Sequence, residues 1–305
     1  MRNNTQGERM EDSAYSRLKP YLASNAIVDW RIEEIPSCPI PVFTKGMHAN
    51  SYFFGHPKWG KEYFEDSHRS EAFEDRWNAV MGSWDDKIVV DIGCGPGNVY
   101  ATVGGSPKLL IGVDVSPGAL QMAREVGYTP ILADAHHLPF VDGFADIVVA
   151  NATVHHCDDM SRILKEAARL VRPGGLLFTD QDTQLTAWNF KGMGLFLRDI
   201  RFPLYRLLGS KHFISYEERH ARWKTEVHNQ GPGDGITPEV YYEALEPLGF
   251  EVKLYPHNHN LGREVLEGNN GRSSWRLRLS QKLSGINPDS PEGAQSIMCI
   301  ARHKN

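Results

Sequence analysis

The sequence is poor in the features that mark secreted, metal-clustered or membrane-spanning chains. It has four cysteines in 305 residues, Cys38, Cys94, Cys157 and Cys299, and no C-x-x-C pair. That scatter argues against a disulfide framework and a cysteine-based zinc site, and suits a reducing, cytoplasmic setting. No apolar run nears the roughly 18–20 residues that a bilayer span needs. The polar start MRNNTQGERMEDS lacks the apolar centre of a secretory signal. No integral membrane association is therefore expected. Excess positive charge is missing too. The formal net charge is −5, so the chain lacks the basic field of a general nucleic-acid binder, and no nucleic-acid partner is expected. There are no internal repeats or low-complexity tracts. What is present, 41% hydrophobic and 23% charged residues, is enough for one large α/β domain with insertions, or two domains.

The chain is organised around Lys87–Tyr100, KIVVDIGCGPGNVY. Its apolar residues Ile88, Val89, Val90 and Ile92 read as a strand buried on both faces. Gly93, Gly95 and Gly97 follow at alternate positions, and a helix is expected after them. A strand breaking into such a turn brings bare backbone and a positive helix end up to a ligand. The sixth position of a G-x-G-x-x-G frame is Asn98, so the dinucleotide fingerprint is not met.

The G-x-G-x-G spacing, with Asp91 two residues before its first glycine, resembles the first motif of class I S-adenosylmethionine-dependent methyltransferases. S-adenosylmethionine carries an ammonium and no phosphate. A carboxylate at Asp91 suits that cation, directly or through water, and would repel a pyrophosphate. Downstream, KLLIGVD predicts a second buried strand, Lys108–Asp114. Asp114 stands where a carboxylate takes two hydrogen bonds from a ribose diol. Ser116-Pro117 reads as a cap and first turn for a helix over Gly118–Val126.

A third strand, Thr129–Ala133, leads into Asp134-Ala135 and the phrase HHLPFVDGFADIVVAN. The resemblance implies that Asp134 meets the adenine amino group. The fourth strand, Ala145–Ala150, delivers NATVHHCDDM. Loops at the carboxyl ends of parallel strands border the ligand, so Asn151, Ala152, His155 and His156 are expected near the transferred methyl. A helix over Met160–Val171, capped by Asp158 or Asp159, and a strand over Leu176–Thr179 complete ILKEAARLVRPGGLLFTD. That segment is similar to the family's R-V-L-K-P-G-G stretch, and the resemblance spans about residues 85–182.

It implies an α/β fold: a doubly wound, mainly parallel, seven-stranded Rossmann-like sheet ending in an antiparallel hairpin. Four parts are expected: an N-terminal extension and cap (1–84), the cofactor-binding core (85–182), an inserted lid or substrate cap (183–236), and the rest of the core with a second insertion (237–305). The aromatic segment Tyr52–Phe64 is too broken by Gly55, Pro57 and Gly60 to read as a helix. Family members often fold such a segment over the cofactor, and core filling is the alternative. Arg69–Met81 has helical spacing. In the insertion, Lys191, Arg198, Arg201, Arg206 and Lys211 accompany large apolar groups and one acid, Asp199, which suits a substrate cap, plain packing, or contact with a membrane surface or partner. His257 and His259 read as polar surface residues, and no metal site is expected. Arg263, Arg272, Arg276 and Arg278 read as solvated, with neutralisation of an acidic substrate as the alternative.

The expected cofactor is S-adenosyl-L-methionine, held by Asp91, Gly93, Cys94, Gly95, Asp114, Val115, Asp134, Ala135, Asn151, Ala152 and Tyr63. His155 and His156 are the candidate bases, since neutral imidazole can take a proton from a hydroxyl at pH 7. The expected reaction is O-methylation of a small molecule. Transfer to nitrogen or carbon of a lipid-like metabolite, a non-catalytic cofactor-binding protein, and a nicotinamide-dependent oxidoreductase are the alternatives. The oligomeric state is not legible.

Overall fold

The computed structural model describes residues 14–30, 35–197, 215–228 and 230–304. Seven strands, β1 (Ile88–Ile92), β2 (Leu109–Asp114), β3 (Thr129–Leu132), β4 (Ala145–Asn151), β5 (Val171–Thr183), β6 (Phe250–His257) and β7 (Ser296–His303), form one sheet in the order β3-β2-β1-β4-β5-β7-β6. Strands β1 to β5 run parallel, and β7 lies antiparallel between β5 and β6. The fold is therefore the doubly wound, mainly parallel Rossmann-like sheet that the motifs imply. Alternate residues of β1 face opposite ways: Val90 and Ile92 join one apolar core, and Val89 joins the other. Burial on both faces is why these strands read as unbroken apolar runs.

The helices used below are α1 (Lys45–Phe54), α2 (Trp59–Asp66), α3 (Glu71–Met81), α4 (Asn98–Val103), α5 (Pro117–Val126), α6 (Met160–Leu170), α7 (Tyr216–Thr225), α8 (Pro238–Leu245) and α9 (Trp275–Leu283). Side-chain caps start several of them. Thr44 accepts from Met47 N, Ser70 from Phe73 N, Ser116 from Ala119 N, and Asp159 from Arg162 N. Each such cap satisfies an N–H that the helix itself leaves unpaired.

Several expectations are corrected. Tyr52–Phe64 is mostly helical: α1 ends at Gly55, Pro57 lies in the link, and α2 runs through Gly60. A Cβ on Gly60 would lie 2.2 Å from Phe54 O, so the glycine permits close packing of α2 on the end of α1. Strand β5 extends beyond Thr179 because Asp182 and Thr183 still pair with Ile297 and Ser296 of β7. His257 is fully buried rather than on the surface, 2.7 Å from Asp180 Oδ1. Arg278, read as solvated, is largely buried and pairs with Asp289, whereas Arg263 is exposed as expected and pairs with Asp75. Arg198, Asp199, Arg201, Arg206 and Lys211 lie outside the described residues, as does most of the polar N-terminus.

One buried ion pair anchors the N-terminal segment to the sheet. Arg76 of α3 donates from Nε and Nη2 to Asp180 Oδ2 of β5 at 3.0 and 2.9 Å, and Trp77 Nε1 donates to the same oxygen at 2.9 Å. Both charged side chains are fully buried. Farther along the chain, α7 of the insertion packs on α1. Asn50 of α1 donates to Thr225 O at 3.1 Å, and Phe53, Trp59 and Ala221 share a small apolar cluster. Through these contacts α7 is joined to α1 and α2.

Candidate functional site

Sheet order reverses at β1, which has β2 on one side and β4 on the other. A crevice outside the strand ends is expected at such a switch point. A cleft with about 850 Å³ of empty space, part of it open to solvent, lies there. The turn after β1 is its floor. Gly93, Gly95 and Gly97 all have positive φ. At Gly93 a Cβ would meet Thr153 Cγ2 at 2.4 Å, so both the backbone angle and the close approach require glycine. Gly93→Ala should lower the stability by about 1–3 kcal/mol, read as a shift of the urea midpoint with unchanged slope.

Eleven of the thirteen expected site residues line this cleft: Tyr63, Gly93, Cys94, Gly95, Asp114, Val115, Asp134, Ala135, Asn151, Ala152 and His156. At the end of β2, Asp114 Oδ2 accepts from Gly95 N at 2.9 Å and Oδ1 from Ser116 N at 2.8 Å. The carboxylate therefore braces the glycine turn while facing the cleft. Burial pushes its pKa up, against the lowering effect of these two N–H groups. Asp134, after β3, accepts from His136 N at 2.9 Å and lies 2.7 Å from His136 Nδ1, all through Oδ1. Burial would raise its pKa, but the His136 hydrogen bonds hold it below the usual carboxylate range.

Asp91 and His155 do not line the cleft. Asp91 is 1% exposed and sits behind the turn, where the Tyr128 hydroxyl donates to Oδ2 at 2.6 Å. Burial pushes its carboxyl up to about 7, only partly offset by that bond. His155 turns away from the cleft into the gap between Asp182 and Glu226. Its Nδ1 is 2.9 Å from Asp182 Oδ1, and its Nε2 is 3.4 Å from Glu226 Oε2. Burial opposes charge on this imidazole, but the two carboxylates prevail and hold its pKa at about 10. A ring held protonated between two acids is not a base. His156 is the opposite case. Burial and the neighbouring His155 cation bring its pKa down to about 4, and its Nδ1 is committed to Thr225 O at 2.6 Å.

Phe54, from the aromatic segment Tyr52–Phe64, also lines the cleft, and other lining residues were not anticipated: Met47 and Asn50 of α1, His68, Asn98, Thr153 and His136. The Tyr63 hydroxyl is 2.8 Å from His68 Nε2, and Asn151 Nδ2 is 3.3 Å from the same nitrogen. Burial lowers the His68 pKa to about 4, so the neutral ring accepts from both. With its amide nitrogen turned to His68, Asn151 leaves Oδ1 buried and without a partner. Asn98 repeats the pattern. Its Nδ2 faces the carbonyls of Tyr63, Phe64 and Ser67, which sets the orientation of the amide, and its Oδ1 is buried and unpaired. Asp91 Oδ1 is a third unpaired acceptor behind the same turn. Buried acceptors without donors call for a donor-rich or cationic ligand, and an amino acid ammonium beside a sulfonium is one. The residues present fit S-adenosylmethionine.

Residues 90–179 match the model of a family described as a methyltransferase domain. This chain holds a class I S-adenosylmethionine-dependent methyltransferase domain. Among curated relatives of that domain is the malonyl-[acyl-carrier protein] O-methyltransferase of Yersinia pestis, 35% identical over 92 residues, a match covering 30% of this chain and 34% of that protein. The demethylmenaquinone methyltransferase of Geobacillus kaustophilus is 29% identical over 222 residues, covering 68% of this chain and 85% of the relative. Among solved structures, the geranyl diphosphate C-methyltransferase of Streptomyces coelicolor is 14% identical with a TM-score of 0.46, covering 82% of this chain and 85% of that one. The match to the methyltransferase family begins at Val90 and ends at Thr179, so α1 to α3 and α7 lie outside it. No helix among the described residues is long and apolar enough to cross a membrane.

Proposed function

We propose that this chain transfers the methyl group of S-adenosylmethionine to an oxygen of a small, largely apolar molecule, and that residues 1–84 and 183–236 serve as cap and lid over it. The supporting observation is convergence. Asp114 and Asp134 leave the ends of neighbouring strands, Asn98 and Asn151 carry buried oxygens without partners, and all four residues line one cleft with the glycine turn. In this reading Asp114 holds the ribose diol, Asp134 the adenine amino group, and the Asn98 and Asn151 oxygens, with Asp91 behind them, the ammonium end. Bound there, the cofactor supplies an electrophilic methyl and a neutral thioether leaving group. The protein aligns the acceptor and excludes water, which together can account for about 7–11 kcal/mol of barrier.

Met47 and Phe54 give the cover side of the cleft an apolar wall, which favours a small apolar acceptor. The negative net charge favours no polynucleotide. Four free cysteines fit a reducing cytoplasm. An acceptor hydroxyl must lose its proton as its oxygen takes the methyl. In this reading His156, which lines the cleft with its Nδ1 on Thr225 O, receives it through Nε2. His156→Ala should lower kcat by about 10²–10⁴-fold with little change in cofactor affinity.

The test has two parts. Calorimetry should show binding of S-adenosylmethionine and none of NAD or NADP. Incubation with carbon-13 methyl-labelled cofactor and a metabolite extract should give a labelled product whose methyl resonance identifies an O-methyl group. An N- or C-methyl resonance would overturn the oxygen assignment, and binding without any labelled product would favour a non-catalytic cofactor-binding protein.

A further inference from the structure

A second constellation lies at the lid side of the cleft. His155 and His156 follow β4, and Glu226 follows α7 in the inserted segment. One ligand-type atom from each lies within 4.8 Å of the other two, and the separation of His155 Nε2 from Glu226 Oε2 is 3.4 Å. Both imidazoles are held from behind through Nδ1. His155 Nδ1 meets Asp182 Oδ1 at 2.9 Å, and Asp182 Oδ2 in turn accepts from the Tyr241 hydroxyl at 3.1 Å. His156 Nδ1 donates to Thr225 O at 2.6 Å. A carboxylate or backbone carbonyl behind the far nitrogen is the usual way that a metal-ligating histidine is oriented. It leaves His155 Nε2 facing Glu226 Oε2, with a nitrogen of His156 within 4.8 Å of both.

The spacing is compatible with an ion, which His155 ligates by giving up the Nε2 proton that faces Glu226, so uptake releases a proton. Two ligands at about 2.0–2.2 Å from a tetrahedral centre lie roughly 3.3–3.5 Å apart. One pair already has that separation. The 4.8 Å bound leaves at most a contraction of about 1.5 Å for the rest, which side-chain torsions supply.

We propose that His155, His156 and Glu226 bind a divalent transition-metal cation of the zinc type. Two imidazoles and one carboxylate favour such ions over magnesium or calcium, which take oxygen donors. Because Glu226 comes from the insertion and the histidines from the core, the cation would also tie the lid to the sheet. His156 lines the cleft, and three protein ligands leave coordination positions open. An acceptor hydroxyl reaching one of them would lose its proton to water more readily as its oxygen attacks the methyl carbon and the C–S bond breaks, so with the ion bound His156 would be a ligand in place of the base proposed above. This last consequence rests on the methyltransferase reading, whereas the binding site does not.

The test uses the full chain stripped with a chelator. Zinc(II) alone is then titrated in by equilibrium dialysis, with cobalt(II) in parallel for its visible absorption. The expected result is one equivalent of zinc per chain and a cobalt band of a four- or five-coordinate site. Affinity should fall at least about 100-fold in His156→Ala and at least about 10-fold in Glu226→Gln. Uptake that is absent, or unchanged in both variants, overturns the site, since the chain has 13 histidines that can bind zinc adventitiously. Circular dichroism checks folding. Glu226 is only partly buried, so Glu226→Gln decides the matter if His156→Ala does not fold. S-adenosylhomocysteine binding by the stripped chain is measured alongside. Retained binding without zinc uptake defeats the metal site and leaves the methyltransferase reading intact, and zinc uptake without cofactor binding does the reverse.

Discussion

Asp114→Ala lowers affinity for S-adenosylmethionine by about 10²–10⁴-fold. In the proposed complex the carboxylate accepts from two ribose hydroxyls, and hydrogen bonds to a charged group contribute roughly 1.5–3 kcal/mol each. Two such bonds give about 3–6 kcal/mol, and each 1.4 kcal/mol is about a factor of ten. The same carboxylate also accepts from Gly95 N and Ser116 N, so some loss comes from a slackened turn. A thermal melt without ligand measures that share by itself. Calorimetry with S-adenosylhomocysteine measures the sum, and an unaltered affinity would remove the ribose assignment. Asparagine is not a gentle substitute here, because its NH₂ would be set against one of the two backbone donors.

Arg76→Met is expected to cost about 3–5 kcal/mol of folding stability, the usual penalty for leaving one buried charge without its partner. For a domain whose total stability is about 5–15 kcal/mol, that is a large share. Asp180 would retain Trp77 Nε1, the Gln181 N–H and the ring of His257, but not the guanidinium. Burial by itself would raise the Asp180 pKa. Arg76 and His257 outweigh it and hold the carboxyl far below the usual carboxylate range. A carboxylate whose folded pKa is depressed contributes stability that is fully present above its unfolded pKa of about 3.9 and is lost as pH falls below it. The wild-type chain should therefore weaken progressively below about pH 4. In Arg76→Met the folded pKa is less depressed, and the contribution above pH 4 is smaller. Urea midpoints at pH 7 and at pH 4 check both parts. A variant as stable as the wild type at pH 7 would show that the pair does not anchor α3. Replacing Asp180 as well, with alanine, should recover part of the loss by removing the stranded charge.

The fold was legible because its evidence is local. Strands buried on both faces appear as apolar runs in any register, and Gly93-x-Gly95-x-Gly97 can mark only a backbone held at positive φ. Ser116, Asp159 and Thr237-Pro238 announce helix starts by chemistry confined to three or four residues. The helices before the sheet were less legible. Gly55 and Pro57 suggested broken structure, yet they separate two short helices. His257 looked like a surface residue because its partner Asp180 is 77 positions away.

The two adjacent histidines show the same limit more sharply. In sequence His155 and His156 are equivalent. In space one is clasped by Asp182 and Glu226, and the other faces the cleft with its Nδ1 on Thr225 O. No spacing rule relates those partners.

By itself, then, the sequence determined the sheet, the turn and which strand ends would carry carboxylates, since these follow from periodicity and from backbone angles that few residues adopt. Only the tertiary structure decided which groups stay charged, which oxygens are left without donors, and that Glu226 meets His155. Desolvation and pairing depend on distances between segments far apart in the chain, and those distances exist only once it has folded.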